Sequence, residues 1–199
     1  MNDSDPIILA ITGASGAPYA RRILQGLVEA QRRVHLIISP AGRRLLHDEL
    51  GVEQPDVEAI LGRSVPHHIS ILPYNDVGSC AASGSYPTAG MVVAPCSSSR
   101  LAQIAHGLGD NLISRAAQVT LKERRPLILL HREMPLSLIE LRNMVQVTEA
   151  GAIVCPASPG FYLRPQSIDD LVTMTAGRVL DLLAVEHHWA IRWHGAGAQ

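Results

Sequence analysis

Long hydrophobic runs, paired cysteines and a surplus of charge of either sign are all missing from this chain, and each gap removes a class of function. No apolar stretch approaches the ~20 residues that a membrane span requires. The opening residues, Met1 to Asp5, are polar and acidic rather than basic and then apolar, so no leader is expected. Cys80, Cys96 and Cys155 are odd in number, widely spaced and without a Cys-x-x-Cys, which points away from a disulfide framework or zinc knuckle and towards a reducing, cytoplasmic setting. A net charge of -1 provides no long-range basic field, so nucleic acid is not the expected partner. Among the nine histidines there is no His-Glu-x-x-His, and no metal site is expected. Aromatic residues are scarce, with one Phe and two Trp, so the apolar content is mostly aliphatic.

What is present fits a folded domain. The 199 residues are 47% hydrophobic and 18% charged, enough to bury a full core as one compact domain, with loose tails at 1–5 and 195–199. The charged fraction lies below the ~25% usual for soluble domains, which suggests that surface is hidden in a homo-oligomer.

Apolar periodicity alternates along the chain. Pro6 to Thr12 reads as a strand, and Pro18 to Ala30 as a helix with Tyr19, Ile23, Leu24 and Leu27 on one stripe. Val34 to Ser39 repeats the strand signal, and Ala41 to Leu50 is a helix that Gly51 ends. Leu72 to Ala89 is a long loop of small and polar residues. Met91 to Ala94 is a buried strand stopped by Pro95, with Ser97, Ser98 and Ser99 offering caps to the next helix. Asp110 is placed as the cap of a helix reaching about Arg124. Leu127 to Leu130 and Ala152 to Cys155 are strands, Leu136 to Ala150 is helical, and Ser167 with Asp170 opens a last helix to about Glu186. Strand and helix in alternation give an α/β fold with a parallel sheet.

Charge gathers at both ends of one core strand. Leu121-Lys122-Glu123-Arg124-Arg125-Pro126 precedes the Leu127 to Leu130 run and Arg132-Glu133 follows it, a pattern that reads as a site more readily than as a solvated face. In Thr12-Gly13-Ala14-Ser15-Gly16 the glycines allow close backbone approach, and the helix N-terminus behind them favours an anion. The spacing is neither the dinucleotide fingerprint nor a Walker loop, and a plain structural turn is an equal reading. The turn Pro95 to Arg100 sits at a second strand-to-helix junction, where open α/β sheets bind ligands, although each serine also reads as a helix cap. Arg115, Lys122, Arg132, Tyr162 and Arg178 are candidates to meet a phosphate, and surface charge is the alternative for each. Glu49 and Glu133, near element ends, are candidate acids or bases, against readings as an exposed helix end and an ion-pair partner of Arg132.

In order along nearly the whole chain, Thr12 to Ala17, Ala82-Ser83-Gly84-Ser85, Pro95-Cys96-Ser97, Asp110-Asn111-Leu112, Arg115-Ala116-Ala117, Leu121 to Leu127, Arg132-Glu133, Asn143-Met144, Pro159-Gly160-Phe161-Tyr162 and Arg164 to Ser167 resemble the UbiX-type flavin prenyltransferase family. The resemblance implies a single-domain, doubly wound parallel sheet, a Rossmann-like flavoprotein fold shared with cysteine decarboxylases. It implies that a dimethylallyl group passes from dimethylallyl phosphate to reduced FMN without a metal, giving prenylated FMN for a UbiD-type decarboxylase. By the same likeness FMN lies against Gly13, Ala14, Ser15, Ser39, Ser97, Ser98, Ser99, Arg100 and Arg132. The prenyl phosphate meets Ser15, Arg115, Lys122, Tyr162 and Arg178, some of them across a subunit boundary in a homododecamer.

The chemistry so implied leaves a phosphate dianion and an allylic cation, and therefore calls for cations at one end of the site and π surface at the other. Glu133 is assigned as the acid at the phosphate, through Ser15, and Glu49 as the group managing protons at ring closure, with Lys122 beside them and Trp193 as the aromatic neighbour of the cation. Ser99-Arg100 and His131 depart from the family's usual residues. Two alternatives are a flavin-dependent cysteine decarboxylase and a non-catalytic flavin carrier. The first lacks its Pro-x-Met-Asn-x-x-Met-Trp here, and the second has no need of Glu49, Lys122 and Glu133.

Overall fold

The computed structural model describes residues 5–64 and 68–191. Six strands form one parallel sheet: β1 (Ile7–Ile11), β2 (Val34–Ile38), β3 (Ile69–Leu72), β4 (Gly90–Cys96), β5 (Leu127–His131) and β6 (Ile153–Pro156), in the order β3-β2-β1-β4-β5-β6. The helices are α1 (Ala17–Glu29), α2 (Pro40–Leu50), α3 (Val57–Leu61), α4 (Ser98–Ala105), α5 (Leu112–Lys122), α6 (Leu138–Glu149) and α7 (Ile168–Leu182). Strand order reverses between β1 and β4, which makes the gap at their carboxyl ends the topological switch point of a doubly wound sheet.

The four central strands are aliphatic on both faces because both faces are covered. Ile7, Leu9 and Ile11 pack with Ile23, Leu27 and Leu180 beneath α1 and α7, whereas Ile8 and Ala10 pack with Leu101, Ile113 and Val147 beneath α4, α5 and α6. The period-2 alternation of a strand thus assigns α1 and α7 to one side of the sheet and α5 to the other.

Side-chain oxygens close most helix starts. Ser39, Asp56, Ser97, Asn111, Ser137 and Ser167 each accept an amide from the first turn of the helix that follows, which is worth ~1 kcal/mol apiece. Asn111 takes the place expected of Asp110: its Oδ1 accepts the Ser114 amide, and Asp110 instead accepts from Asn111 Nδ2.

Several boundaries differ from expectation. Pro95 lies within β4 instead of stopping it, at a register irregularity between Val93 and Cys96, where a residue without an N–H costs no ladder bond. β4 is the fourth strand along the chain, since β3 precedes it on the sheet edge. β3 has half-exposed and exposed residues and so shows no clear apolar period, and α3 spans only five residues. α7 ends at Leu182, four residues short of Glu186.

Candidate functional site

The turn after β1 and the turn after β4 are joined by one hydroxyl. Thr12 Oγ1 donates to the Pro95 carbonyl at 2.6 Å and accepts from the Ser97 amide at 2.9 Å. Gly13 is needed beside it, because a Cβ there would lie 2.5 Å from the Ala41 Cβ. Gly16 holds a φ of 135°, which L side chains rarely adopt. The result is a crevice floored by backbone, with Ser15 and Ser99 exposed and Ser97 and Ser98 half-buried along it.

Helices α1, α2 and α4 each follow the carboxyl end of a strand, so their positive ends face this crevice. At α1 an anion is already present, and it is the protein's own. Glu49, near the end of α2, accepts from the Gly16 and Ala17 amides, the first N–H groups of α1. The starts of α2 and α4 remain, with Ser39 Oγ and Ser97 Oγ spent on caps to Gly42 and Arg100. Close-approach backbone, the hydroxyls of Ser15, Ser98 and Ser99, and two helix starts suit a phosphorylated planar cofactor.

The candidate acid, Glu133, lies at the end of the neighbouring strand. Beyond β5, Arg132 Nε donates to the Ser15 carbonyl at 3.2 Å, which brings two residues 117 positions apart to one place. Glu133 Oε2 accepts from Ser98 Oγ at 3.2 Å, and the same hydroxyl lies 3.3 Å from His131 Nε2. The ion pair of Glu133 with Arg132 is loose, at 3.9 Å. Glu140, in the first turn of α6, joins this group: the Ser98 hydroxyl and the Ser137 amide and hydroxyl hold its carboxyl down to about 2. Burial pushes the His131 imidazole below its ordinary value, against the opposing pull of Glu140 and Glu133. Sequence reasoning noted His131 only as a departure from the family and missed Glu140, whose one signal was the Ser137-x-x-Glu140 capping box.

The remaining candidates are not brought together within one chain. Lys122 ends α5 ahead of β5, and Glu133 follows its far end, so the length of the strand, roughly 15 Å at 3.3 Å per residue, separates them. Charge at the two ends of β5 is therefore two places rather than one. Lys122 is ion-paired with Glu123 against the Ser83 to Ser85 turn, next to Arg125, which holds the carbonyls of Gly84 and Tyr86 at 2.9 Å each. Arg115, like Lys122, is on α5, while Arg178 is on α7 across the sheet, pairing with Asp181 at 2.9 Å. Tyr162 lies in the loop between β6 and α7, its ring folded back on Gly160.

Arg100, expected on the flavin side, has a side chain 6% exposed and turned into the α4–α5 junction, where it donates to Asn111 Oδ1 at 2.7 Å, Ser114 Oγ at 2.6 Å and Tyr74 Oη at 3.1 Å, so what it presents to the crevice is its backbone at the start of α4. Trp193 lies outside the described residues. The Cys96 thiol, fully buried, is pushed up to about 12 and so is inert as a nucleophile. Among the described residues no three His, Cys, Asp or Glu side chains gather as a metal site, and no helix is long and apolar enough to cross a membrane.

A family model described as "Flavoprotein" matches residues 1–180. A protein of Pseudomonas aeruginosa named flavin prenyltransferase UbiX is 42% identical over 200 residues, covering 97% of this chain and 96% of its own. Among solved structures, AnUbiX (PadA1) in complex with FMN and dimethylallyl pyrophosphate superposes with a TM-score of 0.85 at 38% identity, covering 96% of this chain and all of that one. A dodecameric FMN-dependent UbiX-like decarboxylase from Escherichia coli O157:H7 gives a TM-score of 0.87 at 39% identity, over 96% of this chain and 100% of that chain.

Proposed function

Because the chain belongs to the flavoprotein family, we propose that it works as its UbiX-type relatives are named to do, as a flavin prenyltransferase joining a dimethylallyl group from dimethylallyl phosphate to reduced FMN. The observation that carries the reading is the meeting of Ser15, Arg132, Ser98 and Glu133 near the switch point, a carboxyl group beside a glycine- and serine-rich turn.

Gly13, Ala14, Ser15, Ser39, Ser97, Ser98 and Ser99 hold the cofactor by backbone approach and hydroxyls, and Arg132 adds a cation. Reduced FMN, when bound, supplies the electron-rich ring that accepts the prenyl carbon. Breaking the allylic C–O bond leaves phosphate, which Glu133 protonates as it departs, with Ser15 as relay. Ser98 fixes the orientation of Glu133, and His131, kept neutral by burial, can exchange a proton with that hydroxyl. Glu49 manages protons at ring closure and anchors α1 while doing so. Trp193 is assigned by residue type alone as the aromatic partner of the allylic cation. Arg115, Lys122, Tyr162 and Arg178 neutralise the phosphate in place of a metal.

Those four cannot converge in one chain, since α5 and α7 lie on opposite faces of the sheet. A homo-oligomer, as a dodecamer, completes each site with residues from a second copy. Apolar surface beside Glu133 supports such a contact: Met134 is 87% exposed and Ile139 71%. The product passes to a UbiD-type decarboxylase in the reducing cytoplasm, where Cys80, Cys96 and Cys155 stay unpaired.

The test is mass spectrometry of flavin released after anaerobic incubation with FMN, reductant and dimethylallyl phosphate, followed by addition to an apo-decarboxylase. Flavin heavier by one prenyl unit, with rescue, is expected; bound but unmodified FMN would turn the assignment to a carrier or cysteine decarboxylase.

A further inference from the structure

Away from the switch point, residues of α1 and α7 and of the end of α3 line an open cleft of about 280 Å³. Three guanidinium groups line it, from Arg21 and Arg22 in the second turn of α1 and Arg63 just past α3, against a single carboxylate, Asp169, in the first turn of α7. Gly62, left-handed with a φ of 66°, ends α3 and turns the chain so that Arg63 reaches this cleft. Asp169 is ion-paired with none of the three within 4 Å. Leu61 and Val172 contribute apolar wall.

Solvated arginines on a surface are ordinary, and two features set this group apart. The Arg22 guanidinium stacks on Trp189 at 4.5 Å and donates from Nη1 to Gln25 Oε1 at 2.9 Å, so its plane is fixed in advance. Its Nε–H is shielded from solvent and meets no acceptor, so the group is held at the cleft with part of its donor capacity unspent. Three cations gathered around one concave space, short of counter-charge, with one of them immobilised, are the chemistry of a phosphate receptor.

We propose that this cleft is a second anion site, taking a small phosphate or diphosphate group independently of the switch-point crevice. Its volume accommodates a phosphate or diphosphate, and three guanidinium groups match the charge of inorganic phosphates or a short phosphate ester. The inference does not depend on prenyl transfer, because none of Arg21, Arg22 and Arg63 takes part in that reaction.

Calorimetric titration of the FMN-loaded protein with inorganic pyrophosphate tests it, comparing wild type with Arg21→Ala/Arg63→Ala. The double variant is expected to lose one bound pyrophosphate per chain, or to bind it at least tenfold more weakly, while kcat for prenyl transfer stays within about twofold. Arg21→Lys/Arg63→Lys should keep a weakened site, which separates lost charge from lost fold, and Lys122→Ala should leave this site intact. Parallel titrations with inorganic phosphate and with dimethylallyl phosphate show whether the free anion or the ester is preferred. Identical stoichiometry and affinity in wild type and the double alanine variant would overturn the proposal.

Discussion

The Glu49 carboxylate closes on the start of α1, its Oε2 accepting from the Gly16 amide at 3.0 Å and from Ala17 at 2.8 Å. A charged acceptor there is worth more than a neutral one, both for its hydrogen bonds and for the helix dipole. Glu49→Gln should therefore lower stability by roughly 1–2 kcal/mol, or about 2–6 °C in melting temperature for a chain of this size. A thermal melt of the flavin-free protein checks this, and an unchanged midpoint would show that the contact carries no net energy.

Glu133→Gln keeps an acceptor for Ser98 Oγ but cannot protonate phosphate. Prenyl transfer should slow by about 10²–10⁴-fold with FMN affinity unchanged. Single-turnover kinetics under anaerobic conditions would reveal full retained rate if another group is the acid.

Lys122 and Glu133 lie beyond opposite ends of β5. If a functional site takes one from each of two chains, mixtures of Lys122→Ala and Glu133→Gln proteins, reassembled after dissociation, should regain a measurable fraction of wild-type activity that neither variant shows alone. No recovery in verified mixed oligomers would place both residues of a working site in the same chain.

Burial lowers the pKa of both His35 and His131, with Arg33 adding to the effect at His35. For a histidine so depressed, the unfolded chain takes up the proton first. The stabilising contribution is whole above the unfolded value of about 6.5 and is lost as pH falls through the lower folded value. Melting temperature should thus drop as pH is lowered from 7 towards 5, and His131→Gln should flatten that slope. Glu140, held to about 2, stays ionised across this window and begins to lose its contribution only below its unfolded value of about 4.5. A slope identical to wild type in the variant would remove His131 from the account.

The strands were legible wherever aliphatic runs are buried on both faces, as in Ile7–Ile11 and Leu127–His131, and the helix starts wherever Ser precedes a periodic run. β3 was not legible, because an edge strand with half of its residues in solvent has no burial pattern to show. Residue type at element ends singled out Glu133 and the Thr12 to Gly16 turn, and the structure brings Ser15, Arg132, Ser98 and Glu133 together. Sequence position places Arg100 in the turn after β4, but the direction of its side chain, set by the acceptors Asn111, Ser114 and Tyr74, is not legible from local sequence. The occupation of α1 by Glu49 depended on a contact 33 positions away, which no local pattern encodes.

Thr12 is committed in both directions. With its hydroxyl hydrogen given to Pro95 and a lone pair given to the Ser97 amide, it acts as a spacer bar whose length sets the gap between the two loops. Its job is dimensional, and its failure would be too: Thr12→Val preserves shape and fill, yet leaves a buried carbonyl and an amide seeking partners. The loops would then wander relative to each other, and a chain still folded, and still carrying every residue named at the crevice, would lose the fixed jaw width on which a rigid planar ligand depends.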